Sequence, residues 1–430
     1  MLRENDSITV TAVDMDYKGN GVCKYDAQVI FVAGMLTNEI ALVKIKEIRK
    51  SFAVGELVKL IKKSDARRDV DNLSANLGSL DLIHLSDIDQ VKWQEKTTIE
   101  SFKKIGDIDV VLEETIQSSK TLYYRNKAVF HVLESDILTL GLYNKEFKLE
   151  RVDDFLLSDK LINKFVKLIN NARIRIEDEL YHIVFRVNGN NQILITLVAT
   201  LPEFEGLDAL IRLLRGCEEV VGITVNFKKN FKKILSEDSI VIWKNNLIEM
   251  EIDDLKIEIN DRAFFQINSN IVSDLYNKIE KIVPKDSIVI DAFCGVGAIG
   301  FYLKDKAKRV YMIDNSQENI NMATEMIVKN TVGNVEVILG DVEKELSEIE
   351  ADVLIVDPPR NGLFDETKEV ILKNEYKQLI YLSCDVKTLV RDINMLKDKY
   401  EIVNVIPIRM FPQTTSLETL VVLSLKLGLE

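Results

Sequence analysis

The sequence predicts an α/β protein in which a doubly wound, mostly parallel sheet follows a small β-barrel and an α+β region. Two observations carry this prediction. From residue 261 onward, short β runs alternate with helix-length segments, which is the pattern of a parallel sheet covered by helices on both faces. The first sixty residues instead alternate polar and apolar positions around glycine turns, which indicates a small antiparallel barrel.

The predicted barrel spans residues 1–63. Its β runs are "SITVTAVDM", "AQVIFVAGM", "EIALVKIKEI" and "ELVKLIKK", and barrels of this kind commonly bind oligonucleotides. The segment Lys44–Arg68 carries nine Lys or Arg residues against three Asp or Glu residues. This local positive charge suits a phosphate backbone, although an ordinary solvated surface would show the same composition.

Three further regions follow the barrel. Residues 64–85 are predicted to be a polar linker, and residues 86–117 a helical segment with Ser86 as its N-cap. Residues 118–260 mix strands with the helices "DKLINKFVKLINNAR" and "EGLDALIRLLRG" in no regular repeat, which predicts an α+β domain. Residues 261–430 hold the runs of the parallel sheet and form the last domain.

Composition excludes several classes of function. A net charge of −13 argues against a general nucleic-acid coat protein. The longest apolar runs are too short to cross a bilayer and "MLRENDSITV" lacks an apolar signal segment, so we expect a cytoplasmic protein with no membrane partner. The four cysteines are far apart and there are only three histidines, which predicts no metal site.

A glycine motif opens the last domain. "DAFCGVGAIG" contains GxGxxG at Gly295, Gly297 and Gly300, a pattern that serves NAD, flavin and S-adenosylmethionine sites alike. The next strand ends about twenty residues later in Asp314, where a carboxylate can accept hydrogen bonds from ribose hydroxyls. Asp341 follows the strand after that, where it can meet the adenine end or act as a helix N-cap. Together these residues predict a nucleoside cofactor.

A pair of prolines indicates S-adenosylmethionine rather than a nicotinamide cofactor. In "VLIVDPPRNGL" the prolines remove two amide donors and fix the direction of Asp357 at the end of a strand. A transferase that holds a flat base beside a methyl donor needs such oriented polar groups, whereas a nicotinamide enzyme does not. Upstream, "DRAFFQIN" offers Phe264 and Phe265 for stacking and Gln266 for hydrogen bonding.

A cysteine and a carboxylate stand at two other strand ends. Cys384 ends the run "QLIYLSC", and Glu418 borders the apolar run of "MFPQTTSLETLVVL". Carbon 5 of uracil becomes nucleophilic only after a thiolate adds to carbon 6, and a base must then remove the carbon 5 proton. One cysteine and one carboxylate are the minimum for this chemistry.

The ordered motifs resemble those of the bacterial RNA uracil-C5 methyltransferases. The matching segments are "YYRNKAVF", "FFQIN", "DAFCGVGAIG", "DPPRNGL", "LSCDVKTLVRD" and "FPQTTSLETLVVL", and the resemblance covers essentially the whole chain. It implies a class I S-adenosylmethionine-dependent methyltransferase domain with a Rossmann-like fold, an RNA-binding barrel of the TRAM (OB-like) type, and a central domain that recognises RNA. Residues 86–117 would pack on the catalytic domain.

The resemblance also implies roles for individual residues. Cys384 is the nucleophile and Glu418 the proton-abstracting base. The methyl donor S-adenosylmethionine would be bound by Gln266, Phe293, Gly295, Gly297, Asp314, Asp341 and Asp357. The target base would lie beside Phe264, Gln266 and Asp357.

Three departures from the family pattern matter. Many members carry cysteines for an iron–sulfur cluster before a "HLS"-like segment, but "NLSANLGSLDLIHLS" has none. We therefore expect no cluster, and the chain resembles the cluster-free branch that modifies 23S ribosomal RNA. Asp314 replaces the commoner glutamate, and Ser416 stands where a histidine often precedes the base.

Four alternatives stay open at this level. Transfer RNA is a possible substrate in place of 23S ribosomal RNA. A cytosine-C5 enzyme would show a second cysteine after the prolines, where this chain has Arg360. An amino-directed methyltransferase would show an aromatic residue there and needs no thiol. The alternative of another class is a catalytically silent RNA-binding or chaperone-like module. We expect a monomer, because the partner RNA is large.

Overall fold

The computed structural model of the chain describes residues 2–70, 76–229 and 232–426. Residue 1 of the predicted barrel, residues 71–75 of the predicted linker, residues 230–231 of the central domain and residues 427–430 of the last domain lie outside the described residues.

The N-terminal strands form a closed barrel. They are β1 (Ser7–Met15), β2 (Gly21–Tyr25), β3 (Gln28–Val32), β4 (Ile40–Ile48) and β5 (Phe52–Lys62), in the order β1-β2-β3-β5-β4. Alternate residues of β1 and β4, such as Val10, Ala12 and Val43, are buried inside the barrel. The predicted barrel is confirmed, but the prediction of purely antiparallel pairing is wrong for β3 and β5, which run parallel. Strand β4 lies between them in sequence and returns the chain to the same direction.

A helix connects the barrel to the rest of the chain. Helix α1 (Asp87–Ser101) begins after Ser86, whose hydroxyl accepts a hydrogen bond from the amide of Asp89 at 3.3 Å. The predicted N-cap is therefore confirmed. The helix continues into a π-helical turn (Phe102–Gly106). Gln94 of α1 donates to the carbonyl of Ile408 at 2.9 Å, which ties the helix to the C-terminal part of the chain.

The middle region is a seven-stranded sheet with two helices on one face. Its elements are β6 (Lys127–Val132), β7 (Leu140–Tyr143), β8 (Leu149–Arg151), α2 (Lys160–Asn171), β9 (Leu180–Val187), β10 (Ile193–Ala199), α3 (Leu207–Arg215), β11 (Val220–Phe227) and β12 (Ser239–Lys244). The strand order is β12-β11-β10-β9-β6-β7-β8. Phe165 of α2 and Leu210 of α3 are fully buried in the same core as Phe185 of β9.

A hairpin links this sheet to the last one. It consists of β13 (Leu247–Ile252) and β14 (Leu255–Asn260). Its buried side chains, such as Ile248 and Ile257, belong to the core of the C-terminal sheet. The domain boundary between residues 260 and 261 stays a prediction, because this hairpin shares its core with the residues that follow.

The C-terminal sheet is doubly wound. Its elements are α4 (Ser269–Ile282), β15 (Ile288–Ala292), α5 (Ala298–Tyr302), β16 (Arg309–Asp314), α6 (Gln317–Asn330), β17 (Val335–Leu339), α7 (Val342–Leu346), β18 (Val353–Val356), α8 (Asp365–Asn374), β19 (Gln378–Ser383), α9 (Val386–Leu396), β20 (Tyr400–Ile408) and β21 (Glu418–Leu425). The order is β17-β16-β15-β18-β19-β21-β20. Strands β15 to β19 run parallel to one another, as predicted, and β21 pairs antiparallel with both β19 and β20. Ligands of such sheets bind at the carboxyl ends of the strands. None of the helices in the described ranges is long and apolar enough to cross a membrane.

Candidate active site

The glycine motif forms a tight turn between β15 and α5. Gly297 has a φ of 81°, and a Cβ atom there would lie 2.6 Å from the sulfur of Met312 in β16. Only glycine permits both this backbone conformation and this close approach. The amide of Gly300 donates to Oδ2 of Asp291 at 2.9 Å, which closes the turn.

Asp314 supports this turn from the neighbouring strand. Its Oδ2 accepts a hydrogen bond from the amide of Gly295 at 2.9 Å, and its Oδ1 accepts one from the amide of Ser316 at 2.8 Å. Asp314 therefore joins the glycine turn to the start of α6. Asp341 occupies the N-cap position of α7 but is exposed and makes no side-chain cap bond. The structure does not bring Gly297, Asp314 or Asp341 to the lining of the cleft described next.

A cleft of about 80 Å³ lies at the carboxyl ends of β15 and β18. It brings together six of the residues that the sequence singled out, namely Phe264, Phe265, Gln266, Phe293, Gly295 and Asp357. Nε2 of Gln266 donates to Oδ2 of Asp357 at 3.4 Å. The side chain of Phe264 is 64% exposed, so its ring is available to a ligand, whereas the neighbouring Phe265 is buried.

Buried carboxyl groups give this cleft a negative electrostatic potential. Burial raises the pKa of Asp291 to about 7, and the nearby carboxylates of Asp357 and Asp314 act in the same direction. Burial also raises the pKa of Asp357. Oδ1 of Asp291 is buried without a hydrogen-bond partner in the described residues. Burial raises the pKa of the Tyr276 phenol well above its usual value, and the carboxylates of Asp357, Asp291 and Glu418 act in the same direction. A cationic ligand would compensate this negative charge.

Cys384 and Glu418 lie at the same end of two adjacent strands, β19 and β21. Strands β19 and β21 are antiparallel and pair Ser383 with Thr419. Cys384 follows Ser383, and Glu418 precedes Thr419, so the two side chains leave adjacent strands at the same end. Asp385 then starts α9 by accepting hydrogen bonds from the amides of Lys387 and Thr388, which holds Cys384 between strand and helix.

Charged neighbours set the ionisation of this pair. Burial, assisted by the carboxylate of Glu418, raises the pKa of the Cys384 thiol to about 11. Burial and the carboxylate of Asp357 raise the pKa of Glu418 well above its usual value. The Arg360 guanidinium acts in the opposite direction on both groups, because a positive charge favours the thiolate and the carboxylate.

Cys384 opens into its own cavity. This cavity has a volume of about 170 Å³ and is lined by Cys384, Arg360, Ser416, Thr97 of α1 and Tyr17 of the barrel. Three distant parts of the chain therefore surround the thiol. Within the described residues, no three His, Cys, Asp or Glu side chains are grouped so that they could hold a metal ion.

Sequence reasoning missed several groups at this site. Asp291 and Arg360 lie inside motifs that were recognised, but neither was assigned a role there. The carboxylate–glycine spacing of "DAFCGVGAIG" and the cation after "DPP" were the available signals. Tyr276 lies inside an ordinary amphipathic helix, and Tyr17 lies in a barrel turn, so no local pattern indicates either of them.

The chain is similar to known RNA-modifying proteins over nearly its full length. Residues 99–426 match the family described as tRNA (Uracil-5-)-methyltransferase. A protein of Oceanobacillus iheyensis described as an uncharacterized RNA methyltransferase is 31% identical, with 99% of this chain and 98% of that protein covered. A Clostridium tetani protein with the same description is 30% identical, with 98% and 97% covered.

A solved structure shares the fold. The tRNA (uracil-54, C5)-methyltransferase of Pyrococcus abyssi, determined with S-adenosyl-L-homocysteine, superposes with a TM-score of 0.78 at 21% identity and covers 97% of this chain and 100% of its own. The predicted fold, a Rossmann-like methyltransferase sheet behind an N-terminal barrel and an α+β region, is thereby confirmed. The family expected from the motifs is confirmed as well. The chain belongs to the tRNA (uracil-5-)-methyltransferase family.

Proposed function

We propose that this protein transfers a methyl group from S-adenosylmethionine to carbon 5 of a uridine in 23S ribosomal RNA. The observation that carries the proposal is the placement of Cys384 and Glu418 at adjacent strand ends, beside a cleft rich in buried carboxylates. A thiol, a carboxylate and a neighbouring ligand cleft are the parts that uracil methylation at carbon 5 requires.

The cleft suits a cationic nucleoside. When bound, S-adenosylmethionine supplies an electrophilic methyl group on a positively charged sulfonium. Gln266, Phe293, Gly295 and Asp357 line the cleft that would hold it, and the unpartnered Oδ1 of Asp291 offers an acceptor. In this proposal Gly297 and Asp314 act by shaping the glycine turn. Only the order of the motifs supports a contact between the exposed Asp341 and the adenine of S-adenosylmethionine.

The first chemical step uses Cys384. Its thiolate forms a bond from Sγ to carbon 6 of the uracil, and the electron pair of the carbon 5–carbon 6 double bond passes to the enolate at carbon 5 and O4. Carbon 5 then forms a bond to the methyl group as the sulfur–methyl bond of the donor breaks. The thiol is protonated at neutral pH when ligands are absent, because its pKa is about 11. The positive charges of Arg360 and of the bound donor favour the thiolate.

The second step uses Glu418. Its carboxylate takes the proton from carbon 5, the carbon 5–carbon 6 double bond forms again, and the bond from Sγ to carbon 6 breaks to release the thiolate. The raised pKa of Glu418 makes it a stronger base than a solvated glutamate. Phe264, Gln266 and Asp357 are the proposed contacts of the target base.

Transfer RNA is the second candidate substrate. It is favoured by the description of the matching family and by the name of the Pyrococcus abyssi protein, a tRNA (uracil-54, C5)-methyltransferase. The 23S assignment is supported by the lack of cluster cysteines in "NLSANLGSLDLIHLS" and by the resemblance to the cluster-free branch. In either case the barrel is proposed as an RNA-binding TRAM domain.

Methyl transfer to defined RNAs tests the proposal. The purified protein is incubated with methyl-labelled S-adenosylmethionine and either a 23S ribosomal RNA transcript or a set of transfer RNA transcripts, and the digested nucleosides are identified by mass spectrometry. We expect 5-methyluridine in the 23S transcript. The same product in transfer RNA alone would correct the substrate. Label on a different base atom, or no label on either RNA, would overturn the proposal.

Cofactor affinity is expected to depend on pH. Below about pH 7 Asp291 is mostly protonated. A cationic ligand must therefore displace that proton before it is attracted by the charged carboxylate. We expect S-adenosylmethionine to bind roughly three- to tenfold more weakly at about pH 6 than at about pH 7.5. S-adenosylhomocysteine lacks the sulfonium charge and should change less. Isothermal titration of both ligands checks this, and an equal pH dependence for the two would contradict it.

A further inference from the structure

A second cavity continues outward from Cys384. It has a volume of about 510 Å³ and lies between the barrel, helix α1 and the start of α9. It shares Tyr17, Thr97, Ser101 and Lys387 with the cavity of Cys384. The two cavities therefore form one path that runs from the thiol to the surface. We call this path the barrel groove.

Tyr17 stands at the junction of the two cavities on a rigid turn. Asp16 accepts hydrogen bonds at Oδ1 from the amides of Lys18 at 2.9 Å and Asn20 at 2.8 Å. Nε1 of Trp93 in α1 donates to the carbonyl of Asp16 at 3.1 Å, which fixes the turn against the helix. The Tyr17 side chain is nevertheless 48% exposed. A large aromatic ring is thus held in a set position and left open on one side.

Positive charges without acidic partners surround this ring. Nζ of Lys387 lies 3.0 Å from the centroid of the Tyr17 ring, and Nζ of Lys18 lies 5.7 Å from it. Among the described residues, no carboxylate pairs with Lys387, Lys18 or Arg360, whereas the groove lysines Lys96 and Lys104 pair with Asp14 and Glu100. Lys387 and Lys18 therefore lie at the ring of Tyr17 without an ion-pair partner among the described residues, and Arg360 lies at the Cys384 cavity near the carboxyl group of Glu418.

The basic segment of the barrel is less suited to an anion. Five of its nine cations form ion pairs with carboxylates, and these are Lys46, Arg49, Lys63, Arg67 and Arg68. The other four, Lys44, Lys50, Lys59 and Lys62, form no ion pair among the described residues, but none of the nine lines the Cys384 cavity or the barrel groove. An aromatic ring flanked by free cations is the arrangement that binds single-stranded nucleic acid, with a base on the ring and a phosphate on the cations.

We propose that Tyr17 and Lys387 form a subsite for the nucleotide next to the target uridine in the RNA strand. Its base stacks on the ring of Tyr17, and its phosphate is bound by Lys387. Lys387 occupies the face of the ring when RNA is absent and moves to the phosphate when the base enters. The inference rests on the proposed function only in placing the target uridine in the Cys384 cavity.

Short RNAs with missing bases test this subsite without any chemistry. The probes are fluorescein-labelled five-residue RNAs in which every position is an abasic ribose except one central uracil, or that uracil and one neighbour on the 5′ or the 3′ side. Binding is measured by fluorescence anisotropy in the absence of methyl donor. We expect one of the two-base probes to bind wild-type protein about tenfold more tightly than the one-base probe.

The variants separate stacking from charge. Tyr17→Ala should abolish the gain from the second base, and Tyr17→Phe should keep it. Lys387→Ala should weaken binding of all probes and reduce its dependence on salt. Tyr25→Ala, a change of an exposed tyrosine elsewhere on the barrel, and Lys397→Ala, at the other end of α9, are the matched controls and should bind like wild type.

Two results would overturn the subsite. One is that wild-type protein gains nothing from either second base, which includes the case in which no probe binds. The other is that Tyr17→Ala keeps the gain. No methyl donor is present, so these binding results are independent of the methyl-transfer assay. If the protein methylates RNA but binds the two-base probes no more tightly than the one-base probe, the subsite is disproved and the proposed function is unaffected.

Discussion

Replacement of Cys384 by alanine is expected to reduce methyl transfer by roughly 10⁴-fold or more, because the enolate at carbon 5 cannot form without the thiolate. Binding of S-adenosylmethionine and of RNA should stay within about threefold of wild type, since the cofactor cleft is lined by other residues. Initial rates with saturating RNA and ligand titrations measure the two effects separately.

Cys217→Ala is the matched control for this variant. Cys217 is also a free, partly buried cysteine, but it follows α3 in the middle region, away from the candidate site. The control should retain the wild-type rate. A Cys384→Ala protein that binds both ligands and still transfers methyl groups at a comparable rate would show that the reaction needs no thiol adduct.

Replacement of Glu418 by glutamine is expected to separate the two chemical steps. The amide cannot take the carbon 5 proton, so turnover should fall by roughly 10² to 10⁴-fold while the methyl group still reaches carbon 5. The methylated base then remains bonded to Cys384. A denaturing gel should show labelled methyl groups in an RNA–protein species that wild-type enzyme does not accumulate.

Folding should not obscure this result. Glu418 is 3% exposed and burial raises its pKa, so an uncharged glutamine of the same shape removes a buried ionisable group. Glu401→Gln, on the exposed part of β20, is the control and should turn over normally. Normal turnover by Glu418→Gln, with no trapped species, would assign proton removal to another group.

Much of the architecture was predictable because each parallel strand is a short apolar run between helix-length segments. The runs around β15, β16 and β18 are buried on both faces and stand out from their polar flanks. Strand β2 was missed because it is only five residues long and directly follows a glycine turn. The sequence also could not show that the β13–β14 hairpin packs into the core of the C-terminal sheet, because its alternating pattern of polar and apolar residues fits either neighbouring sheet.

The site was predictable only where one short segment carries the chemistry. Gln266, Phe293, Gly295 and Asp357 follow strand ends or precede α4, and the structure brings them into one cleft. Contacts between distant segments leave no such pattern. The approach of Lys387 to Tyr17, for example, depends on how the barrel packs on α1 and α9.

An RNA that contains 5-fluorouridine tests the central claim most directly, because fluorine at carbon 5 cannot be removed as a proton. The protein is incubated with S-adenosylmethionine and a 5-fluorouridine transcript of the RNA that it methylates, and the linked peptide is mapped by mass spectrometry. The account predicts a denaturation-resistant RNA–protein species joined through Cys384 and carrying the transferred methyl group. Methylation of the unsubstituted RNA with no linked species, or a link through any other residue, would contradict it.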